Sequence, residues 1–217
     1  LNATGNASSI MKIMTPYMEE TSANWPEGYT YKFGGDAENT AENMGAVISY
    51  LPLSGFIILL LLIIMFNSIR KTIMVAATIP LGIIGVVIGL LIFQEPFGFM
   101  PFLGVISLAG VVINNAIVLI DRIQIEESEI KRPIQDAIIA ACLQRFRPIL
   151  LATFTTVLGL IPLYISGGEM WEGMAISIMI GLLFGTVITL LFIPSFYSIL
   201  FKVNYNDYEF NESILDD

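Results

Sequence analysis

Histidine is absent from the sequence, and Cys142 is its single cysteine. An internal disulfide is therefore excluded, and a zinc site built from His and Cys ligands is not expected. Charged residues are scarce as well, at 13% of the chain, whereas soluble domains carry about 25%. The sequence thus predicts no metal and no cofactor, and its composition is not that of a soluble domain.

Signatures of enzymes and of nucleic-acid binding are also missing. The sequence has no Gly-x-Ser-x-Gly nucleophile elbow, no His-Glu-x-x-His metal motif and no glycine-rich phosphate loop. Its ten Lys and Arg residues are scattered singly or in pairs, so they form no basic face for DNA or RNA. We therefore expect neither an enzyme nor a nucleic-acid partner.

Long hydrophobic runs are what the sequence has in abundance. Hydrophobic residues make up 55% of the chain, and they concentrate in blocks close to the ~20 residues that cross a bilayer about 30 Å thick. The five blocks are 45–67, 72–93, 99–121, 148–166 and 174–201. The sequence therefore predicts an all-α membrane bundle of five transmembrane helices over residues 45–201, in contact with the lipid bilayer.

Residues 1–44 are polar and differ from the rest. Apolar side chains from Ile10 to Met18 recur at helical spacing, which predicts an amphipathic helix. The alternating, aromatic-rich segment Tyr29–Phe33 predicts a strand. One helix and one strand cannot form their own core. The fold prediction therefore adds a small α+β segment that packs on something outside this chain.

Positive charges indicate an orientation. All eight Lys and Arg residues after residue 44 follow the first, third or fifth block. The other two connections carry Glu95, Glu169 and Glu172 but no basic residue. By the positive-inside rule the basic connections are cytoplasmic. The N-terminal segment is then predicted on the outer side of the membrane, and the acidic tail, residues 202–217, in the cytoplasm.

The connection between the third and fourth blocks, residues 122–147, carries charges of both signs. Ile134, Ala137, Ile138 and Ala141 recur there at helical spacing. This pattern predicts an amphipathic helix along the cytoplasmic membrane surface. A short solvated helical loop is the alternative.

Polar side chains inside the apolar blocks are the candidate functional residues, because a bilayer makes them costly. Asn114 and Asn115 lie in the third block, and Asp121 follows Asn114 by seven positions, on nearly the same helix face. Thr153 lies in the fourth block. These residues suit a polar relay through the bundle, with Asp121 near its cytoplasmic mouth.

A structural role is the alternative for each of these side chains. Asn can join helices, and Thr can bond its own helix carbonyls. Asp121 can pair with Arg122 or Arg145. Glycines at small-residue spacing predict close helix packing rather than a site, and they are Gly85, Gly89, Gly181 and Gly185.

Three motifs carry a family resemblance: Gly110–Asp121 (GVVINNAIVLID), Arg145–Leu150 (RFRPIL) and Gly159–Leu163 (GLIPL). Together they resemble the resistance-nodulation-division (RND) family, in particular its multidrug efflux permeases of Gram-negative inner membranes. The resemblance extends over the chain up to about residue 201 and does not include the tail.

The resemblance implies a pump of twelve membrane helices in two halves, each with a large periplasmic insertion. Residues 1–44 then resemble the end of the second periplasmic porter domain, and residues 45–201 helices eight to twelve. Such a pump is a homotrimer that exchanges protons for drugs or other amphiphiles. It joins a periplasmic adaptor and an outer-membrane channel. Without the N-terminal half, this chain is expected not to pump.

Carried over by position, the resemblance assigns relay roles. Asn114 falls where the family has a relay Lys, and Asn cannot supply that charge. The relay Thr falls on Ala152, beside Thr153. Arg145 matches an Arg linked to proton entry, and Asp121 matches a family carboxylate. The relay candidates are therefore Asn114, Asn115, Asp121, Arg145 and Thr153.

Two other functions stay open on the sequence alone. A SecF-like protein-export subunit also has an Asp-Arg pair after an apolar block, as Asp121 and Arg122 do here. A membrane scaffold without transport activity would be consistent with the missing half. The segments Asn115–Val118 and Arg147–Leu150 fit efflux pumps better.

Overall fold

The computed structural model describes residues 7–26, 28–31, 36–205 and 208. Over this part of the chain it has six helices: α1 (Ala7–Ser22), α2 (Asp36–Phe66), α3 (Ile69–Phe93), α4 (Phe99–Ser128), α5 (Ile134–Ser166) and α6 (Glu169–Leu200). Five of them, α2 to α6, contain stretches long and apolar enough to cross a membrane. The prediction of five long apolar helices is thereby confirmed.

The chain divides into two compact units, Leu1–Gly55 and Phe56–Asp217. In the first unit, α1 contains Pro16, and the rings of Trp25 and Tyr31 meet edge to face with centroids 6.0 Å apart. Residues 29–31 have no regular secondary structure, and residues 32–33 of the predicted strand lie outside the described part. The predicted α+β character of this segment is therefore not shown.

In the second unit, local sequence sets where several helices begin and end. The Ser68 hydroxyl accepts a hydrogen bond from the backbone N–H of Lys71 and caps the start of α3. Gln94 adopts a left-handed conformation, with φ 57°, and its N–H bonds to the Leu90 carbonyl at the end of α3. Pro133 precedes α5 with φ −51°, where the missing proline N–H costs no helical hydrogen bond.

α6 is the central helix of the second unit, because it packs against α3, α4 and α5. Two apolar clusters of buried side chains surround it. The first contains Leu62, Phe66, Met74, Val75, Ala116, Leu119, Ile120, Ile123, Ile138, Ala141, Ile193 and Tyr197. The second contains Val86, Leu90, Leu108, Val112, Ile176 and Leu182. The first cluster lies toward the α4–α5 connection, and the second toward the opposite end of α4.

The connection predicted at residues 122–147 differs from the expectation. α4 continues to Ser128, and residues 134–147 are the first part of α5 rather than a separate surface helix. Ala137, Ile138 and Ala141 are buried in the protein instead of lying along the membrane surface. Pro148 lies inside α5 without ending it, because membrane helices tolerate a lost backbone hydrogen bond where neighbouring groups compensate.

Candidate functional site

The polar residues in the middle of α4 lie on different faces of the helix. Leu108, Val112, Asn115 and Leu119 are buried, and their spacing of three and four residues places them on one stripe that faces the bundle. Asn115 is 9% exposed, whereas Asn114 is exposed. The structure therefore separates these two candidates, with Asn115 inside the bundle and Asn114 on an open face.

Thr153 joins α5 to α6. Its hydroxyl oxygen lies 2.8 Å from that of Thr186, and both residues are buried. Thr155 and Thr156 instead donate to carbonyl oxygens four residues earlier in their own helix. Thr153 is thus the fourth-block threonine whose hydroxyl bonds to another helix, and such a contact contributes about 0.6 kcal/mol in membrane bundles.

A buried ion cluster lies where α4 ends. The Glu126 side chain has no exposed surface and pairs with the guanidinium of Arg122, one turn earlier. It also lies 3.1 Å from the guanidinium of Arg132. The backbone N–H of Arg132 bonds to the Glu126 carbonyl oxygen, which holds the connection against the helix end. Since a buried carboxylate is unfavourable unless it is paired, both arginines are needed to keep Glu126 inside the protein.

Arg145 of α5 borders the same region. A cavity of about 650 Å³ is lined by Arg122, Ile130, Arg132, Gln144 and Arg145. Arg145 is half-buried there, and the buried Glu126 carboxylate contacts two of the three arginines. The structure therefore brings the predicted residue Arg145 to a basic cavity beside an ion cluster.

Asp121 is half-buried and immediately precedes this cluster in α4. Among the ion pairs of the described residues, none joins Asp121 to Arg122 or Arg145, and Arg122 pairs with Glu126 instead. The simple pairing considered as an alternative for Asp121 is therefore wrong for this structure. Its relay role remains a prediction.

Two hydrogen bonds tie the same end of α4 to other helices. The Lys71 ammonium of α3 donates to the side-chain oxygen of Gln124 at 2.9 Å. The Tyr197 hydroxyl of α6 donates to the Glu127 carboxylate at 3.3 Å. The last turns of α4 are therefore held by polar contacts, whereas its middle is held by apolar packing.

The glycines with small-residue spacing lie where helices approach closely, and they are Gly85, Gly89, Gly181 and Gly185. A Cβ at Gly85 of α3 would lie 2.6 Å from the Cβ of Phe184. A Cβ at Gly181 of α6 would collide with a side-chain methyl of Leu108. Contacts this short leave no room for a larger residue, so the α3–α6 and α4–α6 contacts depend on glycine.

The sequence reasoning missed two residues, Glu126 and Thr186. For Glu126 a signal existed, because the buried stripe of α4 continues through Leu119 and Ile123 to Glu126 at the same spacing. Arg122, four positions earlier, is the matching partner on that helix face. For Thr186, nothing in the spacing distinguished it from other threonines of the block.

In the part of the chain that the structure describes, five membrane-length helices with charged and hydroxyl side chains buried between them indicate a multi-pass membrane protein. Residues 2–201 match the AcrB/AcrD/AcrF family. The chain belongs to this family of RND permeases, and it is a multi-pass inner-membrane protein. The resemblance seen in the three motifs is thereby confirmed, while a SecF-like export subunit and a scaffold are not favoured.

Two relatives match most of this chain, but the matched region is only a small part of each relative. It is 29% identical over 180 residues to "Multidrug resistance protein MdtC" of Pectobacterium atrosepticum, covering 82% of this chain and 18% of that protein. It is 34% identical over 143 residues to the protein of the same name from Edwardsiella ictaluri, covering 64% of this chain and 14% of that protein. The chain thus spans less than a fifth of these relatives.

A solved structure shares the fold. The crystal structure of a heavy metal efflux pump matches 92% of this chain and 20% of its own, with a TM-score of 0.74 and 22% identity. At this identity the likeness shows the fold alone.

Proposed function

We propose that the chain is the C-terminal membrane portion of a proton-driven efflux transporter that exports drugs or other amphiphiles. The observation that carries this proposal is the family match over residues 2–201. The relatives named for multidrug resistance support the substrate class. In this proposal the protein moves its substrate without converting it chemically, so it is not an enzyme and uses no cofactor.

The distribution of basic residues supports an orientation. The eight Lys and Arg residues after residue 44 support a cytoplasmic position for the α2–α3 and α4–α5 connections. The acidic tail is then cytoplasmic. The first 44 residues are proposed to be periplasmic and to complete, with further chain, an α+β porter domain.

Exposed positions on α4 and α5 support a role alongside further helices. Asn114 and Ala152 are both exposed, and they are the positions that the resemblance assigns to the relay Lys and the relay Thr. We propose that these positions face the paired aspartates of the N-terminal half. Because neither the aspartates nor a relay Lys belongs to this chain, it is inactive alone.

The buried polar groups are proposed as the inner part of the relay. Asp121 and Arg145 lie near the proposed cytoplasmic end, where the Asp121 carboxyl can exchange protons with water, while the Arg145 guanidinium stays protonated and supplies a fixed positive charge. Asn115 and Thr153 lie deeper in the bundle, and the Thr153–Thr186 pair is positioned to pass a hydrogen bond between α5 and α6. With Asn114 in place of the relay Lys, charge compensation in the membrane must come from groups outside this chain.

Partners of the assembled pump are proposed from the family. They are two further copies of the permease, a periplasmic adaptor and an outer-membrane channel. In the first unit, the exposed apolar side chains Ile13, Met14 and Tyr17 of α1 support contact with further protein.

Dye efflux in a pump-deficient Gram-negative strain tests the proposal. The chain is expressed alone and together with the N-terminal half of an RND permease, and dye retention is measured with and without a protonophore. We expect efflux only with both halves, and its loss when the protonophore is added. Efflux by the chain alone, or efflux that ignores the protonophore, would overturn the proposal.

Two substitutions test the relay within the same assay. Asp121→Asn should lower the efflux rate about a hundredfold or more, as expected when a positioned proton-transfer group is lost, and Arg145→Gln should lower it because a fixed positive charge beside the relay is lost. Arg147→Gln is the matched control, because Arg147 is exposed two positions from Arg145 and does not line the cavity. Full efflux by both Asp121→Asn and Arg145→Gln would exclude them from the relay.

A further inference from the structure

The chain reverses direction directly after α6. Lys202 has a left-handed backbone, with φ 52°, and its N–H bonds to the Ile199 carbonyl oxygen at 3.2 Å. The N–H of Val203 bonds to the Ser198 carbonyl oxygen at 2.9 Å. This pair of hydrogen bonds is the Schellman arrangement that ends many helices. Val203 packs against the first apolar cluster, so the residues that follow it stay close to the helix ends.

Two side-chain hydrogen bonds join the residues after α6 to the first turn of α5. The Gln135 side-chain nitrogen donates to the Asn204 carbonyl oxygen at 2.8 Å. The Tyr208 hydroxyl donates to the Asp136 carboxylate at 2.8 Å, and Asp136 is buried. Because a buried carboxylate is unfavourable unless it is hydrogen-bonded, the Tyr208 hydroxyl stabilises Asp136 inside the protein. We call the described residues of this segment, 202–205 and 208, the strap.

The strap also contributes a wall to a groove between α5 and α6. The groove encloses about 330 Å³, and the residues that line it include Cys142 of α5, Pro194 of α6 and Tyr205 of the strap. The hydroxyl oxygens of Tyr205 and Ser198 lie 3.1 Å apart. The Tyr205 ring meets the ring of Tyr208 edge to face, with centroids 5.8 Å apart. The hydrogen bond that fastens Tyr208 to α5 therefore also positions Tyr205 at the groove.

The strap is fastened more weakly than the helices on which it lies. The Gln135–Asn204 and Ser198–Tyr205 hydrogen bonds are exposed, so water can replace them at little cost. Buried apolar side chains of the first cluster, by contrast, hold the start of α5 and the end of α6. Segments fastened by exposed hydrogen bonds open locally while the packed parts of a protein stay folded. The strap can therefore open without separation of the two helices.

We propose that the strap is a latch over the α5–α6 groove, and that its opening gives water-soluble molecules access to Cys142. In the closed state, Tyr208 holds the strap to the start of α5, and Tyr205 forms part of the groove wall. In the open state, both tyrosines leave these positions and the groove joins the aqueous phase. The proposal concerns the conformation of this chain and does not depend on transport activity.

The reactivity of Cys142 measures this opening, because Cys142 is the single cysteine of the chain. The full chain in nanodiscs, which leave both membrane surfaces open to the reagent, is treated with a water-soluble maleimide. The rate of modification is followed by mass spectrometry. Tyr208→Phe keeps the ring but removes the donor to Asp136, so it should raise the rate about tenfold, as for the loss of one charge-assisted hydrogen bond. Gln135→Ala removes a neutral hydrogen bond and should raise the rate about threefold.

Two controls make the result specific to the strap. Tyr164→Phe makes the same change about 33 Å from Cys142 along α5, at 1.5 Å per residue, and should react as the wild type does. The chain denatured in sodium dodecyl sulfate gives the rate of an unfolded thiol. If Tyr208→Phe reaches that rate, it has lost its fold, and an unchanged rate in Gln135→Ala would then overturn the proposal. Wild-type rates in both strap variants, or an equal increase in Tyr164→Phe, would overturn it as well.

Discussion

α5 and α6 are both long enough and apolar enough to span a membrane, yet they are packed very differently. Half of the most apolar stretch of α6 is buried, against 11% of that of α5. Their glycines differ in the same way, since a Cβ at Gly181 would collide with Leu108, whereas a Cβ at Gly159 would meet nothing within 4 Å. Hydropathy therefore places both helices in the membrane but does not tell whether protein or lipid covers them.

α5 is held mainly at one end. Its buried residues run from Asp136 to Ala141, and beyond them only Ile149 and Thr153 are buried within the helix as described. The buried end follows the connection that the Glu126 ion cluster holds in place. The comparison therefore predicts that tight packing along its length stabilises α6, whereas α5 is stabilised mainly by contacts at its anchored end.

The largest effect is expected when the anchored end of α5 is disrupted. Glu126→Gln removes the buried carboxylate that pairs with Arg122 and Arg132, so it should lower the free energy of unfolding by about 3–5 kcal/mol. Equilibrium unfolding of the detergent-solubilised protein measures this change. Glu129→Gln, on an exposed residue of the same segment, is the control. Equal stability of the two variants would mean that the ion cluster does not anchor the connection.

A smaller loss of stability is expected where α3 packs closely against α6. Gly85→Leu must displace Phe184, and overpacking of this kind costs about 1–3 kcal/mol. The same substitution on the open helix, Gly159→Leu, should change stability by less than about 0.5 kcal/mol. Unfolding of both variants under identical conditions measures the difference. Similar losses of stability in Gly85→Leu and Gly159→Leu would contradict the conclusion that α6 is tightly packed and α5 is open.

The hydroxyl contact between the two helices should contribute modestly. Thr186→Val removes the partner of Thr153, and we expect a loss of about 1 kcal/mol. A double-mutant cycle with Thr153→Val isolates the interaction, which should be about 0.6 kcal/mol. Thr155→Val is the matched control, because Thr155 bonds its own helix. A coupling energy near zero would leave the two hydroxyls as neighbours without mutual stabilisation.

The smallest effect is expected on the open face of α5. Leu158 is 62% exposed, so Leu158→Ala should change the stability of this chain by less than about 0.5 kcal/mol. If further helices of a transporter cover this face, the same substitution should destabilise the assembled protein by about 2 kcal/mol or more. Unfolding measurements with and without the N-terminal half compare the two states. No difference between them would indicate that lipid, not protein, covers Leu158.

Much of the fold could be predicted because membrane insertion depends on local composition. A run of about 20 apolar residues is enough to predict a span, whatever its neighbours are. The boundaries were less predictable where helices continue beyond the apolar run. Residues 134–147 join α5 because Ala137, Ile138 and Ala141 are buried and because Pro148 does not end the helix. Both facts depend on contacts with other helices.

The candidate site was only partly predictable for the same reason. Arg145 and Thr153 were selected from the sequence, and the structure places Arg145 at a basic cavity and Thr153 in an interhelical contact. Asn114 and Asn115 are adjacent in the sequence, so only the rotation of α4 in the bundle decides that Asn115 is the buried one. The sequence predicted Glu126 only as one of several charged residues in the connection 122–147. Its spacing from Leu119 and Ile123 nevertheless places it on the buried stripe of α4.

The sequence by itself determined that residues 45–201 hold five runs long and apolar enough to cross a membrane, that the eight basic residues after residue 44 lie at one end of those runs, and that its motifs are those of RND permeases. These properties reside in single segments, and no contact between segments is needed to define them. Only the tertiary structure decided that α6 is central and α5 open, and that Glu126 is buried between Arg122 and Arg132. It also decided that three arginines line one cavity. These properties depend on how helices are rotated and packed, and the same apolar composition allows many such arrangements.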